Sequence, residues 1–228
     1  MSGAIRTVLF DLDGTLADTA PDLAAALNRL LAEEGRAPLP YAHIRPWVSH
    51  GSPALIRLGF GLAPDDAGYT ELRARLLALY AENLCRDTRL FPGVTELLDA
   101  LHRRGLRWGI VTNKPGFLTG PLIAQLGFAA PPACVVSGDT LARRKPHPEP
   151  MLHACTLAAA QPAATLFVGD SERDVRAGRD AGMRTLVALF GYIGENENPA
   201  EWGADGMIRA PLEVLDWLDA QAPAIHAG

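Results

Sequence analysis

The 228-residue chain is 48% hydrophobic and 21% charged, which is the composition of a folded globular protein and not of a disordered one. Its formal net charge of −5 predicts no basic surface, which counts against nucleic acid as the main partner. No apolar run approaches the roughly 20 residues that span a bilayer, and residues 1–6 lack a signal-peptide pattern, so we expect a cytoplasmic protein with no membrane partner.

The first predicted element is a buried strand at residues 8–10, which ends in Asp11-Leu12-Asp13-Gly14. Open α/β sheets bind their ligands at the carboxyl ends of the strands. Carboxylates two residues apart on an extended strand point the same way and repel each other unless a cation offsets their charge. Mg²⁺ suits this task, because it takes carboxylates together with water and substrate phosphate. The alternative is an ordinary Asp-Gly turn that ends the strand.

Three helices are predicted next, and no strand is predicted between residues 16 and 85. The first has Thr19 as its N-cap and ends at Gly35. The second begins with Ser52 as N-cap and Pro53 in its first turn, and the third covers residues 70–83 with apolar residues on one face. A stretch of helices that follows the first strand of a sheet indicates an inserted helical domain.

From residue 86 onward, predicted helices and strands alternate. The alternation indicates right-handed βαβ units around a parallel sheet. We therefore predict an α/β fold with a Rossmann-like parallel sheet core, residues 1–16 and 86–228, and an inserted all-helical domain, residues 17–85. The helices are predicted at 94–104, 117–126, 149–160 and 172–181, the strands at 107–112, 133–136, 165–168 and 185–189, and a short strand and helix at 207–209 and 212–220.

The segment after the strand at 107–112 reads Thr112-Asn113-Lys114. A hydroxyl, an amide and free backbone N–H groups at a strand end can hold phosphate oxygens. Lys145 lies in a loop with three prolines, which would present its ammonium rigidly to a phosphate. The alternative to phosphate binding is an ordinary polar loop after the strand and a solvated basic loop around Lys145.

The strand at 165–168 is followed by Gly169 and Asp170, and Asp174 lies in the first turn of the next predicted helix. Asp170 can share a metal ion with Asp11, and Asp174 can ligate it directly or through water. A helix N-cap is the alternative for Asp170. The coincidence of such residues at one edge of the sheet favours a site for Mg²⁺ and phosphate.

In this order, the motifs around Asp11, Thr112, Lys145 and Asp170 resemble those of the haloacid dehalogenase-like superfamily in its phosphatase branch. The resemblance covers essentially the whole chain, and the helical insert is similar to that family's cap domain of the first type. It implies a Mg²⁺-dependent phosphomonoester hydrolase that acts on a small phosphorylated metabolite of carbohydrate metabolism, as a monomer or homodimer.

The resemblance also implies roles for individual residues. Asp11 would be the nucleophile that forms an aspartyl phosphate, and Asp13 would be the general acid and then the general base. Asp11, the backbone carbonyl of Asp13, and Asp170 would hold Mg²⁺, with Asp174 in support. Thr112 and Lys145 would bind the transferring phosphate, next to Asn113.

The branches of the superfamily can be compared through their chemistry. Dehalogenases lack the second aspartate, and phosphonate-cleaving members use a cap lysine, whereas no lysine precedes Lys114 here. A phosphosugar mutase stays open, as does a binding protein without turnover. The core is similar to phosphoglycolate phosphatases, and the tail from Gly191 to Asp205 is similar to N-acetylmuramate 6-phosphate phosphatases.

The cap is expected to select the substrate. We hypothesise that residues 49–53 face the active site and that the helix beginning at Ser52 and Pro53 offers backbone N–H groups to a substrate carboxylate. An exposed hinge is the alternative. The predicted specificity residues are Arg45, His50, Gly51, Ser52 and Arg57.

Overall fold

The computed structural model describes residues 4–221, and at its centre lies β1, a strand whose four residues are all buried. Apolar side chains along a whole strand are typical of a parallel sheet covered on both faces. The strands in the described residues are β1 (Thr7–Phe10), β2 (Ala17–Asp18), β3 (Arg89–Leu90), β4 (Arg107–Val111), β5 (Val135–Val136), β6 (Thr165–Gly169), β7 (Arg184–Ala188) and β8 (Gly206–Ile208). The α-helices are α1 (Ala20–Glu33), α2 (Tyr41–Ile44), α3 (Gly51–Phe60), α4 (Tyr69–Glu82), α5 (Val94–Arg103), α6 (Gly116–Leu126), α7 (Glu149–Leu157), α8 (Glu172–Asp180) and α9 (Glu213–Gln221).

Six strands form one parallel sheet in the order β5-β4-β1-β6-β7-β8. The chain builds outward from β1 on one side and then returns to build outward on the other, so β1 and β6 flank the point where the direction reverses. Phe10 is in register with Ile110 of β4 and Val168 of β6. The residues that follow these three strands therefore meet at one edge, where such folds bind ligands. The predicted α/β class and parallel sheet are confirmed.

The helices between β1 and β3 pack on one another and cover that edge of the sheet. Leu27, Leu30 and Leu31 of α1 are fully or almost fully buried. A Cβ placed at Gly59 of α3 would lie 3.1 Å from Leu27 Cδ1, so α1 and α3 approach closely at this glycine. No described helix is both long and apolar enough to cross a membrane.

Two predictions for this helical segment are wrong. A strand does occur in it, since Ala17 and Asp18 pair antiparallel with Leu90 and Arg89, but two residues are too few to show a periodicity. Ser52 is not an N-cap, because it is already the second residue of α3, which begins at Gly51. The positive φ of 76° at Gly51 lets the chain pass directly from a 3₁₀ helix at Arg45–His50 into α3.

The other predicted elements agree with the structure to within a few residues at their ends. Thr19 does precede α1, although its side chain caps no backbone N–H of that helix. The N-cap of α8 is Ser171 and not Asp170, which removes the structural alternative for Asp170. The short strand and the helix predicted near the carboxyl terminus are β8 and α9.

Candidate active site

Three carboxylates converge at the edge of the sheet, those of Asp11, Asp170 and Asp174. Each offers an oxygen, and these three atoms lie within 4.8 Å of one another. Asp11 follows β1 and Asp170 follows β6, which are neighbouring strands. Asp174 is the third residue of α8, where it accepts a hydrogen bond from the backbone N–H of Ser171 in a capping box. The cluster could bind a metal ion.

Glycines make room for these carboxylates. A Cβ at Gly169 would lie 2.5 Å from the Cβ of Asp174, and one at Gly14 would lie 2.0 Å from Oδ2 of Asp170. A Cβ at Gly191 would lie 2.3 Å from the Cβ of Asp170 and 2.5 Å from the backbone oxygen of Gly14. No side chain larger than hydrogen fits at these positions without movement of the backbone or of the acidic cluster.

The acidic cluster is electrostatically unfavourable as it stands. Burial, together with the carboxylates of Asp174 and Asp11, raises the pKa of Asp170 to about 8. Burial also raises the pKa of Asp11, to about 6, although the charge of Lys145 acts to lower it. Oδ1 of Asp170 is buried and has no hydrogen-bond partner in residues 4–221. A bound cation would satisfy this oxygen and offset the repulsion.

Lys145 is the positively charged residue that contacts this cluster. Its ammonium is almost fully buried and lies 3.0 Å from Oδ1 of Asp11 and 2.7 Å from Oδ1 of Asp174. It also donates to the backbone oxygen of Val111 at 2.8 Å. Burial lowers the pKa of the Lys145 ammonium, but Asp11 and Asp174 raise it more, so the net shift is upward. The side chain is therefore held charged beside the acidic cluster.

Asn113 was predicted to bind phosphate, but its side-chain amide binds the backbone of Lys145. Its side-chain nitrogen donates to the backbone oxygen of Lys145 at 2.9 Å, and its side-chain oxygen accepts from the backbone N–H of Lys145 at 3.1 Å. The amide thus holds the Lys145 loop against the end of β4. Thr112 is buried beside it, and its hydroxyl oxygen accepts from the backbone N–H of Lys114, so the hydroxyl proton is available to a ligand in the cavity.

Asp13 lies apart from the acidic cluster and has its own cation. Its Oδ1 accepts a hydrogen bond from the Thr19 hydroxyl at 2.5 Å and another from the Lys114 ammonium at 2.8 Å. The ammonium of Lys114 also lies 4.6 Å from the ring centre of Tyr80, on α4. Burial lowers the pKa of Lys114, but Asp13 and Tyr80 together raise it more, so the net shift is upward. Lys114 was not among the site residues predicted from the sequence.

A cavity of about 460 Å³ lies between the sheet edge and the helical segment, and its lining includes Asp11, Asp13, Thr112, Lys114 and Lys145. Of the predicted specificity residues, His50, Gly51 and Ser52 line it. Arg45 does not, because it donates to the backbone oxygens of Gly191 and Phe190 at 3.0 and 3.3 Å. The exposed Arg57 does not line the cavity either.

Residues of the 3₁₀ helix at Arg45–His50 contact the sheet side of the cavity directly. Ser49 donates its hydroxyl to Oδ2 of Asp170 at 2.5 Å. His50 Nδ1 lies 2.9 Å from a terminal nitrogen of Arg173, and its Nε2 lies 3.5 Å from Oε1 of Glu197. Burial and then the charge of Arg173 lower the pKa of His50, so its imidazole is mostly neutral at pH 7. The helical segment is thus in contact with the acidic cluster in this conformation.

Comparisons with known proteins agree with this geometry. A family model for hydrolases, described as haloacid dehalogenase-like hydrolase, matches residues 5–182. The chain is 41% identical over 215 residues to N-acetylmuramic acid 6-phosphate phosphatase of Pseudomonas aeruginosa, which covers 94% of this chain and 95% of that protein. It is 43% identical over 206 residues to phosphoglycolate phosphatase of Xylella fastidiosa, which covers 90% of each.

A solved structure shows the same architecture. The crystal structure of a predicted phosphoglycolate phosphatase from Haemophilus somnus 129PT matches with a TM-score of 0.83 and 28% identity, over 93% of this chain and 97% of that one. The resemblances to both kinds of phosphatase are confirmed, and the chain is a phosphoric monoester hydrolase. It belongs to the haloacid dehalogenase-like hydrolases.

Proposed function

We propose that this enzyme hydrolyses its phosphate ester in two steps, with Asp11 as the nucleophile and Mg²⁺ held by Asp11, Asp170 and the backbone carbonyl of Asp13, with Asp174 in support. The observation that carries the proposal is the group of three carboxylates, those of Asp170 and Asp174 buried and that of Asp11 partly buried, with Lys145 in contact with Asp11 and Asp174. A hard cation with oxygen ligands fits this donor set, and the orphaned Oδ1 of Asp170 is a coordination position.

The hydrogen bonds of Asp11 leave one oxygen for the reaction. Its Oδ1 accepts from the backbone N–H of Leu12 at 2.7 Å and faces Lys145. Oδ2 is therefore the atom that attacks phosphorus, which forms the aspartyl phosphate as the bond from phosphorus to the ester oxygen breaks. In this mechanism Lys145 and the Thr112 hydroxyl hold the equatorial phosphoryl oxygens. Bound Mg²⁺ would supply further positive charge to the same oxygens.

Asp13 acts as the general acid in the first step and as the general base in the second. Both hydrogen bonds from Thr19 and Lys114 go to Oδ1, which leaves Oδ2 to protonate the departing alkoxide. In the second step, the same oxygen takes a proton from the water that attacks the aspartyl phosphate, and inorganic phosphate is released. Since the buried Lys114 orients the carboxylate, Asp13 does not need to move between the two steps.

We further propose that residues 17–85 act as a cap over the core and that the substrate is a small phosphorylated acid. Phosphoglycolate and N-acetylmuramic acid 6-phosphate are the two candidates, because relatives at 43% and 41% identity are named for them. Both compounds carry a carboxylate as well as a phosphate ester. The cations that line the cavity suit such a dianionic or trianionic ligand.

The test is phosphate release from a panel of monoesters with and without Mg²⁺. We expect Mg²⁺-dependent release of inorganic phosphate and a covalent phosphoenzyme that can be trapped by acid quenching of the wild type but not of Asp11→Asn. Transfer of the phosphoryl group between positions of a sugar, without net release, would instead identify a mutase. Binding of the panel compounds without turnover would contradict the enzyme assignment at this site.

A further inference from the structure

We propose that Arg73 on α4, with Ser52 on α3, forms a subsite for a substrate carboxylate at the end of the cavity away from Asp11, and that the preferred substrate is a sugar phosphate whose carboxylate lies across the ring from its phosphate. The proposal rests on the phosphatase mechanism above and selects between its two candidate substrates. No motif used in our sequence analysis includes Arg73.

Arg73 is oriented by one hydrogen bond. Its Nε donates to the hydroxyl of Ser52 at 3.0 Å, and both residues line the cavity. This contact sets the plane of the guanidinium group. The two terminal nitrogens of Arg73 have no protein partner in residues 4–221. A guanidinium fixed at Nε with free terminal nitrogens presents the fork geometry that binds a carboxylate through two parallel hydrogen bonds.

The other cations that line the cavity differ from Arg73 in their surroundings. Lys145 is paired with Asp11 and Asp174, and Lys114 is paired with Asp13. Arg173 contacts His50 and donates to the Ser171 hydroxyl. Arg144 is exposed and has no fixed orientation from a described hydrogen bond. Arg73 alone among these combines partial burial, a fixed plane and an unpaired charge within the described residues.

The position of Arg73 along α4 sets its distance from the reaction. Arg73, Leu77 and Tyr80 all line the cavity, and their spacing places them on one face of the helix. Tyr80 contacts Lys114, which contacts Asp13, so this end of α4 lies beside the catalytic carboxylates. Arg73 precedes Tyr80 by seven residues, which is about 10 Å along a helix axis at 1.5 Å per residue.

This distance discriminates between the two substrates. In phosphoglycolate a single methylene separates the carboxylate from the ester oxygen, so its two charged groups lie much closer together than Arg73 and Tyr80 do along α4. In N-acetylmuramic acid 6-phosphate the hexose ring separates the phosphate from the lactyl carboxylate, which gives a longer molecule. The cavity of about 460 Å³ is also in the range of roughly 300–1,000 Å³ that holds ligands larger than a two-carbon acid.

The experiment compares kcat/KM for N-acetylmuramic acid 6-phosphate, N-acetylglucosamine 6-phosphate and phosphoglycolate, all with Mg²⁺. The two sugars differ by the lactyl group that carries the carboxylate. We expect Arg73→Met to lower kcat/KM for the muramic acid ester by about 10- to 100-fold, mainly through KM, because a charge-assisted pair is lost. The same variant should leave kcat/KM for the other two compounds unchanged, and Arg73→Lys should restore part of the loss.

Arg75→Met is the matched control. Arg75 lies on the same helix but outside the cavity, where it pairs with Glu33 and Glu34 of α1. Its removal should change no kcat/KM value. An equal loss on all three compounds in Arg73→Met, or a selective loss on phosphoglycolate, would overturn the subsite. If the wild type releases phosphate from none of the compounds, the phosphatase mechanism itself is contradicted, which is a different outcome.

Discussion

The ammonium of Lys114 lies 2.8 Å from Oδ1 of Asp13 and shares that oxygen with the hydroxyl of Thr19. Lys114 follows β4, Asp13 follows β1, and Tyr80 of the helical segment packs on the ammonium from the opposite wall. The carboxylate of Asp13, the proposed proton donor, is therefore held by Lys114 of the core and by Thr19 at the start of the helical segment. Tyr80 contributes indirectly, through its contact with Lys114.

We expect Lys114→Met to lower kcat by about 10- to 100-fold, which is part of the usual contribution of general acid–base catalysis. Since the variant removes the ammonium that orients the Asp13 carboxylate, kcat should fall while KM changes little. Steady-state kinetics measure both parameters. Lys114→Arg should restore kcat in part, and a change in KM alone would argue against a role in positioning Asp13.

Asp11→Asn should reduce turnover by on the order of 10⁴-fold or more, because it removes the proposed nucleophile. The amide keeps the shape of the side chain and relieves repulsion with Asp174, which raises the pKa of Asp11 in the wild type. Thermal unfolding in the absence of metal should therefore show no loss of stability. Near-normal phosphate release by this variant would exclude Asp11 as the nucleophile.

The buried carboxylates predict how stability depends on pH and on Mg²⁺. The pKa of Asp170 is raised from 3.8 to about 8, so the metal-free folded state binds more protons than the unfolded state between these values. The free energy of unfolding should then fall as pH rises through this window. Added Mg²⁺ should raise Tm more at pH 8 than at pH 5, because the cation offsets the same charges.

Calorimetry or dye-based unfolding in EDTA and in Mg²⁺ at the two pH values tests this linkage. Asp170→Asn is the control, because it removes the titrating group while it retains the volume of the side chain. It should flatten the decline of Tm with pH in EDTA and reduce the gain from Mg²⁺. An identical gain at both pH values in the wild type would show that the carboxylates are ionised without the metal.

The sheet and the acidic cluster could be predicted from the sequence because each depends on local pattern. Apolar runs mark β1, β4 and β6, and the residues just after them meet wherever parallel strands share an edge. Asp11, Asp170 and Asp174 followed from this rule. The two-residue strand at Ala17 had no such pattern, because its pairing with Leu90 depends on a contact between distant parts of the chain.

The partners of polar side chains were harder to predict. Asn113 and Thr112 look equivalent beside a strand end, yet only the structure shows that Asn113 binds the backbone of Lys145. The rarity of lysine was a usable signal for Lys114, since the chain contains only two. Tyr192, whose backbone N–H donates to Asp170 at 2.8 Å, lies in the tail motif that we used only for its resemblance.

Arg45 and His50 should behave differently, although we predicted the same role for both. Arg45 donates to two backbone oxygens and lies 4.8 Å from the ring centre of Tyr192, so Arg45→Ala should destabilise the fold by about 1–3 kcal/mol. His50→Ala should instead raise KM, because His50 lines the cavity. Urea unfolding and steady-state kinetics of both variants separate the effects, and a selective KM change in Arg45→Ala would contradict this assignment.

Gly191→Ala should weaken metal binding and activity without a change to any charged group. Its new Cβ would lie 2.3 Å from the Cβ of Asp170 and 2.5 Å from the backbone oxygen of Gly14, and backbone atoms cannot move aside cheaply. Gly120→Ala is the matched control, since that glycine lies within α6 and its new Cβ would meet no atom of another element within 4 Å. Titration of Mg²⁺ against both variants, followed by unfolding and by phosphate release, should show weaker binding only in Gly191→Ala. Equal Mg²⁺ affinity in the two variants would mean that the close packing around Asp170 does not determine the geometry of the metal site.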